Sequence, residues 1–323
     1  MDNRNHSIDI LKFVCSILVI FGHTYYWRYF HELLPVLRCV VPCFFIISGY
    51  LLFDEERQMI QPDRLKRNII HIVKISLWAT LFFIVWQEVL YITSHNGHIW
   101  VPSLKSMMQW VFLNQNPFVY HLWYLFAYLY VLLIIMLVNK YNKWKMLYYL
   151  IPLLLAPHFV LLLSNLNCSF LYVRNFLFIG LPFFAIGTII KSKSSIIIDK
   201  TKKNKVVLIV SIIVFSITTL LENKFLLSGE KPAVKLYFSS VILAICLFLL
   251  ALSFESKQKT WFSDIGEKDS LYIYIFHPVF IVCCDFIFKK LKLYELYLYI
   301  APLIVLITTM VFIKCLRRLK IIK

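Results

Sequence analysis

Apolar runs of about 20 residues recur along the whole chain, each the length a helix needs to cross the hydrocarbon layer of a bilayer. They lie near 8–27, 33–53, 69–93, 118–138, 146–164, 175–190, 206–221, 234–253, 271–288 and 296–315, with short polar connections between them. A membrane barrel would instead show strands of about ten residues alternating apolar and polar. Such a chain is an all-α, polytopic integral-membrane helical bundle with about ten transmembrane helices. Hydrophobic residues fill 60% of its 323 positions, above the level of an ordinary soluble domain. A single transmembrane domain over 1–323 with no attached soluble domain is expected.

The formal charge of +17 raises the question of nucleic acid, and its placement answers it. Most Lys and Arg sit in the short connections, and they build no basic face interleaved with aromatics, so no nucleic-acid partner is expected. Ten crossings put both termini on one side. With the N-terminus inside, the inner segments hold 22 Lys or Arg and the outer connections 8. The positive-inside rule then makes both termini cytoplasmic, with "KKLK" (289–292) as a local exception outside. The eight cysteines lie mostly within apolar runs and show no Cys/His metal spacing, so no metal is expected. Asp9 and Lys12 interrupt the first run and no small-residue cleavage site follows, so no cleavable signal is expected.

That first run, "DILKFVCSILVIFGH" (9–23), carries polar residues in a definite geometry. At 100° per residue, Lys12 and His23 return to within about 20° of one helix face, and Asp9 and His23 to within about 40°. Ser16 shares the stripe. A charged side chain at membrane depth costs several kcal/mol and normally faces a cavity or a partner. Interfacial anchoring accounts for Asp9 and Lys12 taken singly, and a helix contact accounts for His23. Their alignment on one stripe points further, to an imidazole able to take and return a hydroxyl proton.

Weaker features follow along the chain. In "VPCFFIISGYLLF" (41–53), Ser48 and Gly49 permit close helix packing. In "RLKR", Arg64 and Arg67 are three apart and share a helix face, an arrangement suited to phosphate as well as to membrane anchoring. "HLWYL" supplies His121 and Trp123, with an interfacial aromatic belt as the alternative. In "YIYIFHPV", His277 precedes Pro278, a pair that also suits a helix end or kink. The longest outer connection, about 94–117, reads as a partly interfacial re-entrant segment.

Taken in order, "DILK" with His23, "PCFFIISGYLL", "RLKR", "HLWYL", "FIGLPFFAIG" and "YIFHPV" resemble the membrane acyltransferase-3 family of bacterial acyltransferases. The ordered set spans residues 9–279. The resemblance implies transfer of an acyl group, usually acetyl, from cytoplasmic acyl-CoA to a hydroxyl of a surface polysaccharide or lipid-linked glycan at the bacterial inner membrane. It implies that His23 is the essential histidine, and that Arg64 and Arg67 are the cytoplasmic pair associated with acyl-CoA. It implies a membrane-lipid environment, acetyl-CoA or another acyl-CoA as donor substrate, and no metal. The family has arginine eleven residues before the histidine, whereas this chain has Lys12, which keeps the charge and loses the bidentate fork.

On this basis the catalytic candidates are His23, Lys12 and Asp9, and the donor-binding candidates are Arg64 and Arg67. Ser48, His121, Trp123 and His277 are candidates for substrate or structural support. His23 serves either as general base or as transient acyl carrier, and Asp9 either orients the CoA end or balances Lys12. The principal alternative is a transporter or flippase of a glycan or glycan-lipid intermediate, which needs the same polar line and no CoA.

Overall fold

The structure, a computed structural model, describes residues 4–24, 29, 31–94, 101–164, 169, 172–226 and 236–322. Among these the chain forms thirteen α-helices and no strand. In chain order they are α1 His6–His23, α2 Val40–Leu52, α3 Pro62–Ser94, α4 Leu104–Leu113, α5 Trp123–Lys140, α6 Trp144–Leu163 and α7 Leu181–Ser192. The rest are α8 Ser194–Lys203, α9 Lys205–Leu226, α10 Phe238–Phe254, α11 Trp261–Lys268, α12 Ser270–Lys290 and α13 Tyr294–Arg318.

Each of the ten expected runs falls on a helix, and the protein is an all-α polytopic membrane protein. Among the described residues seven helices are long and apolar enough to cross a membrane, or eight if the pair Phe176–Ser192 and Ser194–Lys203, bent by 88°, is one span. The runs Val36–Leu52 and Phe238–Phe254 form shorter apolar helices. The expected ends of the first and eighth runs, 25–27 and 234–235, lie outside the described residues, as do 95–100 of the long connection. Beyond that gap the connection is helical: α4 is capped by Ser103, buries none of its residues, and ends on Asn114 in the left-handed conformation.

Two compact units make up the structure. The first comprises Met1–Phe44, Ile198–Leu226 and Tyr237–Lys323, and α1 is its axis, packed against α10, α11, α12 and α13. Between helices in lipid there is no hydrophobic driving force, so association depends on close packing and small residues. Gly266 of α11 meets this need, resting directly on the Asp9 and Phe13 backbone of α1. Asn5 starts α1 by accepting from the Ser7 N–H, and Thr260 and Ser263 cap α11 reciprocally.

The second unit comprises Phe45–Ile197 and Leu227–Leu236. Within it, the segment around Gly49 packs closely against α7. A methyl group at Gly49 would overlap the Phe184 carbonyl, and one at Gly187 the Ile46 carbonyl. Exposed Leu77, Leu81, Val85 and Val89 recur every fourth residue of α3, the outward stripe of a helix facing lipid. The loop between α2 and α3 is clasped to α5, where Asn139 donates to the Ile60 carbonyl at 2.7 Å and accepts from its N–H at 3.1 Å.

Candidate active site

The polar stripe of α1 separates into two centres at opposite ends of the helix. At the N-terminal end the Asp9 carboxylate is 2% accessible and accepts a fork from Arg4, Nε at 2.8 Å and Nη2 at 2.9 Å. Lys12 Nζ donates to the same carboxylate at 2.9 Å, and His6 Nδ1 stands 3.9 Å away. The remaining arm of Arg4 reaches Glu267 Oε1 on α11 at 2.7 Å. Lys259 extends the chain of charges, 3.5 Å from Glu267 and 2.9 Å from Asp264. Lys268 first and Lys259 second hold the Asp264 carboxyl below its ordinary range. The Ser16 hydroxyl donates to the Lys12 carbonyl at 2.9 Å and lies 3.5 Å from the Ser270 carbonyl at the start of α12.

Fourteen residues from Asp9, about 21 Å along the axis, His23 is the last residue of α1. Its side chain is exposed, while the following Thr24 is fully buried and donates its N–H to the Ile20 carbonyl at 2.9 Å. The imidazole of His277, fully buried in α12, stands against it with ring centroids 5.2 Å apart and planes at 51°. His277 Nδ1 lies 2.9 Å from the Tyr274 carbonyl and 3.1 Å from that of Ile273. Helix α12 runs through Pro278 from Ser270 to Lys290, so the His-Pro pair does not end it.

The remaining candidates belong to the second unit. Arg64 and Arg67 are exposed in the first two turns of α3, on one face. One turn further, Asn68 donates to the Tyr128 hydroxyl at 2.7 Å, and Ser48 bonds the same hydroxyl. His121 is buried edge-on against Phe83, centroids 5.1 Å apart. Trp123 lies under the Arg174 guanidinium at 4.8 Å; Tyr120 meets the same cation at 4.1 Å, and Gln115 Oε1 accepts from it at 3.0 Å.

Asp9 with Lys12, and His23 with His277, are thus the pairs the fold brings together. Arg4, Tyr128, Asn68 and Arg174 escape a reading of the sequence. Arg4 precedes the helix, and its only sequence signal is a cation five residues before an intramembrane aspartate. Arg174 sits in a connection without periodicity, and its stacking on Tyr120 and Trp123 exists only in the fold.

An exposed imidazole at a helix end, with a second, buried imidazole against it within a polytopic helical bundle, is a centre fitted for proton transfer at a membrane. The family described as an acyltransferase domain matches residues 5–316, and the chain belongs to it. The protein is therefore a membrane acyltransferase of the acyltransferase-3 family. No curated protein and no solved structure matches the chain.

Proposed function

We propose that this acyltransferase moves an acyl group, acetyl in the first place, from cytoplasmic acyl-CoA to a hydroxyl of a surface polysaccharide or lipid-linked glycan, with His23 as general base. The observation that carries the proposal is the exposed His23 imidazole on the membrane helix α1, backed by His277, in a chain of this family. A nitrogen of His23 takes the hydroxyl proton as the acceptor oxygen attacks the thioester carbonyl. The new C–O bond forms, the C–S bond breaks, and the proton passes to the departing CoA thiolate.

Arg64 and Arg67 support the donor side. They are exposed on one face at the start of α3, where the helix dipole also favours an anion. The Asp9 centre has a different part. Arg4 and Lys12 are both committed to a carboxylate, so we assign Asp9 and Lys12 to holding the start of α1 rather than to the transfer. The excess of Lys and Arg in alternate connections supports both termini on the cytoplasmic side, and the family resemblance supports a bacterial inner membrane.

The test is transfer of label from acetyl-CoA to membrane glycan by purified protein. His23→Ala is expected to abolish transfer while leaving expression and membrane insertion intact. Retained transfer by a folded His23→Ala protein would overturn the proposal.

A further inference from the structure

The turn "KKLK" (289–292) runs against the positive-inside rule, and the transfer chemistry leaves it without a part. It joins α12 to α13, which pack on one another and on α1. At the far end of this pair Arg317 reaches the Asp269 carboxylate at 2.6 Å, while Arg4, Lys259 and Lys268 engage carboxylates of α11. The positive-inside rule assigns that end to the cytoplasm, so the turn faces outward. Lys289, Lys290 and Lys292 are all exposed there. Lys292 has φ 58°, in the left-handed region that favours glycine, so the charge is kept against the backbone preference.

Beneath the lysines lies an aromatic platform. The rings of Tyr29 and Tyr299 stack with centroids 4.3 Å apart and planes at 14°, and the Tyr29 hydroxyl donates to Glu295 Oε2 at 2.7 Å. Tyr299 is 51% exposed, and the Lys289 ammonium stands 4.7 Å from the ring of Tyr294. Against three ammonium groups stand Glu295, engaged by Tyr29, and Asp285, buried one turn before Lys289, so the turn keeps a net positive charge. Lys289 is about 18 Å along α12 from His277, which faces His23, and Tyr299 is set back about 8 Å from the start of α13. Lysine rim, tyrosine pair and histidine therefore follow one another down a single compact unit.

We infer that this turn and the Tyr29–Tyr299 pair dock the acceptor, and that the acceptor is an anionic saccharide, one bearing phosphate or carboxylate groups. The inference rests on the proposed transfer to a glycan hydroxyl. Lysine ammonium groups are mobile point charges, suited to an anion whose position varies along a flexible glycan. An aromatic face is negative and attracts the weakly positive C–H face of a sugar ring, and the exposed Glu295 carboxylate can accept from a sugar hydroxyl. A phospholipid headgroup would need the lysines alone; the tyrosine pair and its carboxylate match a saccharide. Charge at the rim draws the acceptor in, and the platform below holds it toward His23.

The test uses the full chain in vesicles of phosphatidylcholine, labelled acetyl-CoA, and membrane glycan separated by anion exchange into charged and neutral fractions. Lys289→Gln, Lys290→Gln and Lys292→Gln together change only exposed side chains. The triple variant is expected to raise KM for the charged fraction about tenfold, with kcat and KM for acetyl-CoA within about twofold of the wild type. The wild type in about 0.5 M salt should approach the variant, and the variant should respond little to salt. Tyr299→Ala should raise KM for glycan several-fold without altering the salt response. A triple variant with wild-type KM and salt response, beside an inactive His23→Ala, overturns the inference and spares the proposed function. So does a variant altered only in its response to added phosphatidylglycerol, which would give the turn to lipid headgroups. If the wild type transfers no label to either fraction, the proposed function fails. Retention of the charged glycan on immobilised protein, lost in the triple variant, then still reads the docking surface; equal retention by both proteins overturns it.

Discussion

Gly266 rests its Cα directly on the main-chain carbonyl of Asp9, so that a methyl group there would overlap the oxygen. The obstacle is backbone on the axial helix α1, which cannot swing aside as a side chain would. In an open helix, Gly→Ala gains about 1 kcal/mol in propensity. Overpacking typically costs about 1–3 kcal/mol, and against backbone the upper end applies. Gly266→Ala is therefore expected to lower the thermal midpoint of the detergent-solubilised protein by about 2–6 °C. A rise would show that α11 sits off α1 in solution.

The two cations on Asp9 make its replacement worse than the loss of either one. Breaking a fully buried pair costs about 3–5 kcal/mol. Arg4 is 34% exposed, and water screens it, so about 2 kcal/mol is the better figure for Asp9→Asn. Lys12→Met leaves the Arg4 fork in place and should cost about half as much. Unfolding of the two variants by denaturant checks the order, and the reverse order would make Lys12 the anchor of the cluster.

Removing the charges at the start of α3 probes the donor. Arg64→Gln with Arg67→Gln is expected to raise KM for acetyl-CoA at least tenfold and to leave kcat within a few-fold, since each lost charged hydrogen bond is worth about 1.5–3 kcal/mol. Added salt should mimic part of the effect in the wild type. Unchanged KM would move the CoA phosphates to another basic surface.

A pH effect is expected at the loop before α3. The Gln61 side chain at 2.8 Å, with the N–H groups of Arg57 and Glu56, holds the Asp54 carboxyl below its usual range. Its folded value thus lies under its unfolded one. The stabilisation is complete above the unfolded value near pH 4, and is lost as the pH falls through the folded value. The thermal-midpoint gap between wild type and Asp54→Asn should be constant from pH 7 to 5 and close below about 4. A gap that widens on acidification would contradict the assignment.

Some of this was written in the chain and some was not. Hydrophobic period and length fix helices locally, and all ten runs proved helical. Two came out shorter than a full crossing, one starting only after Pro35 in a 3-10 turn. The stripe of Asp9, Lys12, Ser16 and His23 also followed from helical geometry alone. What each stripe residue touches did not. Arg4 reaches Asp9 from outside the helix, Glu267 approaches from 263 residues away, and His23 meets a histidine on a helix late in the chain. The His277-Pro278 pair was open to reading as a helix end, because the sequence does not show that an imidazole N–H can replace the donor that proline lacks. Arg174 belongs with these: its setting between Tyr120 and Trp123 is made by tertiary packing.

The charge cluster at the start of α1 also bears on how the protein is made. Its two cations on Asp9, Arg4 and Lys12, lie five and three residues away, whereas Glu267 comes 263 residues after Arg4. A nascent chain exposes the first segment to the bilayer long before α11 leaves the ribosome, and domains assemble as synthesis proceeds. Asp9 therefore enters the lipid already neutralised by its own neighbours. The late arrival of Gly266 and Glu267 then closes a lid over an ion pair that is complete from the first moments of insertion.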